Sequence, residues 1–400
     1  MIWLWTSLFI AIFLFFLIIL DFRLGEKAFR QKADIRHFPP RHSDMKLYND
    51  GPELFHDLFE DIAKAKKSVH TLFYIVKDDQ FSQQFLSLLE KKAEQGVKVK
   101  LLMDWLGSYK VKKSTIRQLK KNHVDIAFTH KSRPPFFFYT LQKRNHRKIT
   151  VIDHEIAYLG GFNVGKEYIN QDKKLSPWRD YHIKIIGEGV HDLQQEFLLN
   201  WKNATGVDYL QEKAYFPPQP KGNIRHHFLS TEGVGLEGTF YEFISNAKYS
   251  IIIGSPYFIP SQKVFCALID ALNRGVKVTI LIPKMADHLM VKEAGLSYLK
   301  KLLELNAEVY LYLNGFYHAK VYIFDDKICD VGTANFDQRS FFINDECNCL
   351  IHDEIFIQKV KHMFLVDLNN SERLTIKQLQ KASYFTKFKM MIGKMIAPFL

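Results

Sequence analysis

Two stretches of the chain, "HRKITVIDH" (146–154) and "HAKVYIFDD" (318–326), share one pattern. Each begins with a histidine, carries a lysine two positions later and runs through apolar residues to an aspartate. Three pairs of residues match at a single spacing of 172 positions: His146 with His318, Lys148 with Lys320, and Asp153 with Asp325. A shared register of uncommon residue types predicts an internal repeat, not two unrelated strands.

The repeat extends in both directions. Downstream, at the same spacing, Gly160 matches Gly332 and Asn163 matches Asn335. Upstream, each copy has an apolar strand, a helical stretch and a strand with a basic opening. These are "KSVHTLFYIV" (67–76) with "EQGVKVKLLMD" (94–104), and "KYSIIIGSPYFI" (248–259) with "NRGVKVTILIP" (273–283). Gly96 and Gly275 are predicted helix ends. The pattern predicts two α/β halves with parallel strands and a site between them.

The repeated residues suggest phosphate chemistry. In a strand, residues two apart share a face, so each histidine should lie beside its lysine. The aspartates have the opposite parity and are interpreted as anchors for cations or backbone. Two histidines and two lysines meeting at an interface predict a strongly cationic pocket that an anion completes. One imidazole can attack phosphorus while the other protonates the departing alcohol, with Asn163 and Asn335 as added donors and no metal or other cofactor.

Composition limits the class of protein. The 400 residues are 47% hydrophobic and 24% charged, which excludes a disordered chain. A net charge of +12 suits anionic lipid, nucleic acid or a phosphate substrate. Four cysteines do not make a disulfide framework and are expected to be free thiols in a reducing compartment.

Both ends of the chain suggest a membrane. Residues 2–20 carry no charge and are long enough to cross a bilayer, so we expect a retained transmembrane anchor followed by a juxtamembrane linker over 21–45. A signal peptide is the competing interpretation, but residues 20–29 offer no clear cleavage site. Basic residues after the span predict a cytoplasmic catalytic part: Arg23, Lys27, Arg30, Lys32 and Arg36. Residues 384–400 can form an amphipathic helix on anionic lipid or a helix packed on the body.

At the level of whole motifs, the chain resembles the phospholipase D superfamily. "HRKITVID" and "HAKVYIFD" look like its paired H-x-K-x4-D motifs. The flanking segments are similar to bacterial cardiolipin synthases: "GGFNVGKEY" (160–168), "PWRDYHIKIIGEGV" (177–190), "ADHLMV" (286–291), "NGFYHAK" (314–320) and "GTANFDQRSFFINDE" (332–346). The resemblance implies two α/β/α sandwich halves, over 46–215 and 216–383, behind one transmembrane helix. It also implies transfer of a phosphatidyl group between two phosphatidylglycerol molecules, which releases glycerol.

The resemblance assigns roles to individual residues. It implies that His146 or His318 forms a phosphatidyl-histidine, and we favour His146. Asp180 and Glu346 look like the carboxylates that orient the two histidines. Arg179 and Arg339 are candidates for head-group binding or for structural ion pairs. Thr333 stands where the family often has serine. Many family members begin with two transmembrane spans, whereas this chain shows one.

Other activities fit the same motifs. A phospholipase that hydrolyses lipid, a phosphodiesterase acting on nucleic acid and an inactive lipid-binding scaffold are the alternatives. The basic charge fits nucleic acid, but the anchor does not, so no nucleic-acid partner is expected. The run "PPFFFY" (134–139) is interpreted either as a lipid-facing loop or as core.

Overall fold

A computed structural model describes residues 2–285 and 291–380. Its helices are α1 Ile2–Arg30, α2 Gly51–Lys64, α3 Gln80–Glu94, α4 Lys113–Lys121, α5 Phe137–Gln142, α6 Gly189–Thr205, α7 Leu236–Asn246, α8 Gln262–Asn273, α9 Val291–Glu304, α10 Gln338–Phe342, α11 Glu354–Asn369 and α12 Ile376–Gln380. Its strands are β1 Ile35–His37, β2 Arg41–Asp50, β3 Ser68–Phe73, β4 Lys98–Asp104, β5 Asp125–Thr129, β6 Ile149–Ile152, β7 Ile156–Gly160, β8 Trp178–Gly187, β9 Ile224–Glu232, β10 Ser250–Gly254, β11 Phe258–Ile259, β12 Lys277–Pro283, β13 Glu308–Tyr312, β14 Phe316–Tyr317, β15 Val321–Phe324, β16 Ile328–Gly332, β17 Phe336–Asp337, β18 Asp345–Ile351 and β19 Ser371–Arg373.

The two halves contain the same sheet. In the first half the strand order is β2–β8–β7–β6–β3–β4–β5, and in the second it is β9–β18–β16–β15–β10–β12–β13 with β19 added at the edge. The strands β3, β4 and β5 are parallel, as are β10, β12 and β13, whereas the remaining neighbours are antiparallel. The predicted internal repeat and its strand–helix–strand units are confirmed.

Local sequence explains the helices that join the parallel strands. Asp79 caps α3 by accepting from the backbone of Ser82, and Ser261 caps α8 in the same way. Beyond these helices, Gly96 and Gly275 adopt φ of +87° and +86°, where a side chain would be strained. Both glycines are therefore helix-ending residues, as predicted.

The halves share part of their core. Each half has an apolar cluster formed mainly from its own residues, and a third cluster combines residues of both, including Phe197 on α6 and Phe364 on α11. Strand β2 pairs with β9, and β14 runs parallel to β8, so the backbone also crosses from one half to the other. The predicted layered halves with a common interface are confirmed.

The N-terminal region differs from the prediction in its boundaries. Helix α1 runs ten residues past the expected end of the anchor, and the segment 21–45 contains β1 and the start of β2 instead of a linker. Strand β1 pairs with β9, and Arg36 binds Glu196 at 3.0 Å and Glu232 at 3.1 Å. These partners are distant in sequence, so the local composition did not reveal the strands. The predicted amphipathic segment 384–400 lies outside the described residues.

One described helix is long and apolar enough to cross a membrane. The candidate span runs from Trp3 to Arg30, and none of its most apolar window is buried against the protein. Helix α1 can therefore anchor the chain in a bilayer, as the sequence predicts.

Candidate active site

The paired motifs lie at the carboxyl edge of the parallel strands. Strand β6 begins at Ile149, which faces Leu72 near the end of β3, and β15 begins at Val321, which faces Gly254 at the end of β10. The histidines and lysines thus precede the strands, which corrects the expectation that they belong to them. This edge is where α/β sheets commonly bind ligands.

Each histidine is oriented by a carboxylate from the other half. In the first half, His146 Nδ1 lies 2.9 and 3.0 Å from the two carboxylate oxygens of Glu346. In the second half, His318 Nδ1 lies 2.6 Å from Asp180 Oδ2. Both acids are buried. The sequence indicates both acids, but it does not reveal this crossed arrangement.

Backbone hydrogen bonds enforce the crossing. The amide of His146 donates to the carbonyl of Asp345 at 2.9 Å, and the amide of His318 donates to that of Arg179 at 2.7 Å. In each case the acceptor is the residue before the orienting carboxylate. The contact between the halves therefore fixes both the histidine backbone and its acid.

The two lysines lie beside their histidines. Lys148 Nζ donates to the carbonyl of His146 at 2.5 Å, and it lies 5.4 Å from the ring centre of Tyr74. Lys320 Nζ contacts the carbonyl of His318, lies 2.6 Å from that ring's Nδ1 and is 3.5 Å from Asp180 Oδ2. Both lysines are almost fully buried. The predicted side-by-side placement of histidine and lysine is observed.

Burial and charge set the ionisation of the first-half group. Burial lowers the pKa of His146 to about 4. The charges of Lys148 and Lys320 also lower this pKa, whereas the carboxylate of Glu346 raises it. Burial also lowers the pKa of Lys148 to about 7. At neutral pH His146 is therefore an uncharged imidazole, and its Nδ1 contact to a carboxylate leaves Nε2 with the free lone pair.

The carboxylates stay ionised. Burial raises the pKa of Glu346, but His146, Lys148 and the hydroxyl of Thr333 outweigh it and bring the value to about 2. Burial acts on Asp180 in the same way, and Lys320 and His318 hold its pKa below the usual value. Two carboxylates thus offset two lysines. The expectation of a strongly cationic pocket is therefore wrong for the cluster as a whole, although its histidines and lysines still converge.

Small and hydroxylated residues support the acids. Glu346 accepts hydrogen bonds from Thr333 at 2.6 Å and from Ser340 at 2.8 Å. A Cβ at Gly161 would lie 2.0 Å from Asp180 Oδ1, so only glycine leaves room for that carboxylate. The threonine in the second motif therefore retains the hydroxyl that the carboxylate uses.

Aromatic rings close around the histidines. Tyr74 packs edge-on against His146 with the ring centres 5.0 Å apart, and Trp178 lies 4.8 Å from His318. Sequence reasoning missed both rings. Trp178 directly precedes Arg179 and Asp180 in the segment 177–190, and Tyr74 directly follows the buried strand β3. These positions in the sequence were the signal that could have indicated both rings.

The two motif aspartates lie at the far ends of their strands. Asp153 accepts from the amides of Lys66, Lys67 and Ser68 at 2.6 to 2.9 Å. Asp325 binds the amides of residues 248–250 at 2.8 to 2.9 Å. We therefore interpret both as anchors that join strand ends, and not as groups that touch substrate.

The two candidate asparagines and the two candidate arginines all form contacts with other residues of the protein. Asn163 accepts from the amide of Ile75 at 3.0 Å, and Asn335 Nδ2 donates to Asp337 at 3.1 Å. Arg179 forms a 2.7 Å ion pair with Asp367, and Arg339 donates to the side chain and carbonyl of Gln142. For Arg179 these contacts favour the structural ion pair over head-group binding.

Comparison with known proteins identifies the family. A profile of the cardiolipin synthase phospholipase D-like domain matches residues 58–176 and 240–368. The minor cardiolipin synthase ClsB of Bacillus subtilis is 40% identical over 391 residues, covering 98% of each chain. The chain belongs to the cardiolipin synthase family. A cardiolipin synthase of Staphylococcus aureus is 40% identical over 366 residues, which cover 90% of this chain and 74% of that protein.

Solved structures agree with the cardiolipin synthase fold. The phosphatidylserine synthase of Haemophilus influenzae superimposes with a TM-score of 0.73 at 16% identity, over 91% of this chain and 97% of that one. The similarity confirms the predicted fold of two α/β/α halves, and the matching profile describes the domain as phospholipase D-like. Family membership confirms the prediction of a phosphatidyltransferase of the phospholipase D type.

Proposed function

We propose that this member of the family makes cardiolipin by moving a phosphatidyl group from one phosphatidylglycerol to another. The observation that carries the proposal is the pair of crossed histidine–carboxylate contacts, 2.9 Å for His146 and 2.6 Å for His318, with a buried lysine beside each histidine. Such a pair of imidazoles can serve as nucleophile and as general acid in one reaction.

In the first step, His146 Nε2 attacks the phosphorus of phosphatidylglycerol. The bond from phosphorus to the glycerol oxygen breaks, and His318 gives its proton to that oxygen. The uncharged state of His146 and the acceptor at its Nδ1 support this assignment. Lys148 and Lys320 counter the charge that develops on the phosphoryl oxygens. The product is a phosphatidyl-histidine and free glycerol.

In the second step, His318 takes the proton from the terminal hydroxyl of another phosphatidylglycerol. That oxygen attacks phosphorus, the bond to His146 breaks, and cardiolipin leaves. Asp180 keeps the His318 imidazole in one orientation during both proton transfers. Water at the same position would yield phosphatidic acid.

The basic residues that follow α1 support a cytoplasmic catalytic part, by the positive-inside rule. Anionic phospholipid in the same leaflet would then be both substrate and surrounding surface. The amphipathic tail over 384–400 remains a prediction.

The experiment is a product assay with the full chain in phosphatidylglycerol vesicles and no added metal. We expect cardiolipin and glycerol in equal amounts, and phosphatidic acid as the main product would refute the synthase in favour of a hydrolase. His146→Ala and His318→Ala should each abolish turnover, whereas His362→Ala, at an exposed position on α11, should not.

The intermediate can be tested separately. Phosphatidylglycerol labelled at phosphorus is mixed with the enzyme and quenched rapidly, and the modified peptide is sequenced by mass spectrometry. Label on the peptide that contains His146 supports the assignment. Label on His318 instead would reverse the two roles.

A further inference from the structure

The point where α1 leaves the apolar run is fixed to the catalytic body. Asp21, the first charged residue after that run, accepts from the amide of Tyr139 on α5 at 2.9 Å. Phe22 packs against Phe138 and Tyr139, with ring centres 6.3 and 5.6 Å apart. A Cβ at Gly25 would lie 2.5 Å from Tyr139 Cβ, so helix and body are in close contact. The joint between α1 and α5 is therefore tightly packed.

This joint sets the level of α5 relative to a bilayer. The apolar residues 2–20 extend about 30 Å as a helix, which is the thickness of a hydrocarbon core. Asp21 then marks the boundary with the head groups, and α5 lies at that boundary. Phe137 in α5 is 58% exposed there, although its neighbours pack on α1. In the segment "PPFFFY" both prolines and Phe137 are exposed, whereas Phe136 and Phe138 are partly buried and Tyr139 is buried, so each interpretation of the sequence describes part of the segment.

The exposed ring belongs to a larger surface at the carboxyl edge. The amide of Trp105, just after β4, donates to the carbonyl of Thr129 at the end of β5. The Arg144 side chain joins Asp104 to the carbonyls of His130 and Thr140. Arg144 thus holds the turn after β4 and the segment before α5 together, and it lies two residues before His146 in the chain.

Four exposed apolar side chains define this surface, which we call the apolar rim: Trp105, Leu106, Tyr109 and Phe137. Exposed cations lie close to the rim residues in the chain: Lys110, Lys112, Lys113, Lys131 and Arg133. Two of these cations, Lys131 and Arg133, also line a cavity of about 680 Å³ together with Phe29 of α1 and Lys32. Aromatic rings among lysines and arginines are the composition of a surface that lies at the head-group level of anionic lipid.

We infer that the apolar rim inserts into the interfacial layer of the anionic bilayer that α1 spans. The rim shares its edge with both histidines, so its insertion holds the active site against the lipid surface. The inference rests on the proposed function, because this placement matters only if the substrate is a membrane lipid. Charge complementarity and continuity with α1 identify that bilayer as the occupant.

Tryptophan fluorescence tests the insertion without any need for turnover. Trp178 and Trp201 are 5% exposed, so replacing Trp3 and Trp5 with phenylalanine leaves Trp105 as the accessible tryptophan. The full chain carrying these two changes is placed in vesicles of phosphatidylglycerol brominated near the carboxyl end of its acyl chains. We expect strong quenching that disappears when Trp105→Phe is added.

A matched control uses the opposite edge of the protein. Tyr249 is 70% exposed and precedes β10, at the amino edge of the second sheet. Tyr249→Trp, in the chain that also carries Trp105→Phe, provides a ring at a more exposed position than that of Trp105, and this ring should not be quenched. If Trp105 is quenched no more than this control, the inference is wrong, whatever product the enzyme makes.

Activity provides the second readout. Trp105→Ser and Phe137→Ser should lower turnover of phosphatidylglycerol in vesicles about tenfold each, since each removes one inserted apolar group. Turnover of short-chain phosphatidylglycerol dissolved as monomers should stay unchanged. Equal losses of turnover on both substrates would refute the insertion of the apolar rim. Quenching of Trp105 without any formation of cardiolipin would support the insertion of the apolar rim and refute the proposed function.

Discussion

Glu346→Gln is the substitution that tests the crossed arrangement most directly. The carboxylate faces His146 Nδ1 at 2.9 and 3.0 Å and accepts from the hydroxyls of Thr333 and Ser340. An amide nitrogen in place of one oxygen would donate to Nδ1 and stabilise the tautomer with its proton on Nε2. In that tautomer the lone pair is on Nδ1, which faces residue 346, so Nε2 cannot attack phosphorus.

The structure gives the size of the effect. Burial disfavours the charged form of Glu346, yet its partners lower the pKa from 4.5 to about 2, which corresponds to on the order of 3 kcal/mol. If the same free energy were lost from the transition state, the rate would fall by a factor of about 10². Where a neutral amide imposes the wrong histidine tautomer, the loss reaches about 10⁴. We therefore expect kcat to decrease by a factor of about 10² to 10⁴, with little change in KM.

The assay is the rate of cardiolipin formation at saturating phosphatidylglycerol, with thermal unfolding measured on the same samples. Glu60→Gln, at an exposed position on α2, is the matched control and should retain the wild-type rate. A folded Glu346→Gln enzyme that keeps more than a tenth of the wild-type kcat would refute the orienting role.

Other predictions follow from single contacts. The pKa of Lys148 is lowered by burial to about 7, so its charge is lost as pH rises through that value; kcat/KM should decline there, and a flat profile to pH 9 would contradict this. Gly161→Ala places a Cβ 2.0 Å from Asp180 Oδ1 and should lower kcat with the protein still folded, whereas a wild-type rate would show that the carboxylate tolerates displacement. Asp153→Asn weakens three backbone contacts and should cost about 1–3 kcal/mol in the free energy of unfolding while kcat is kept; lost activity at unchanged stability would instead place this residue in the chemistry. Cys266 is an exposed thiol, so a membrane-impermeant maleimide should label it only after cells are permeabilised, and labelling of intact cells would reverse the proposed sidedness.

Much of the fold was predictable because the repeat is carried by local patterns. Apolar strands, capped helices and the helix-ending Gly96 and Gly275 depend on neighbours within a few residues. The motif residues were predictable for the same reason, since His146 and Lys148 stand two apart and repeat at one spacing. The resemblance also indicated Asp180 and Glu346.

The N-terminal strands were not predictable in this way. Strand β1 is only three residues long and depends on pairing with β9, nearly 200 positions away. Its basic residue Arg36 looks like part of a charged linker in sequence, but it is half-buried between two glutamates in the structure. Long-range pairing overrides local composition at such positions.

By itself, therefore, the sequence determined that the chain contains two copies of one α/β unit, each bearing a histidine and a lysine two positions apart. Only the tertiary structure decided which acid serves which histidine, and that the acids offset the lysines. The reason is that these contacts form between the halves: His146 meets Glu346 and His318 meets Asp180 because the amides of both histidines bind backbone carbonyls across the interface. No local pattern encodes such a pairing.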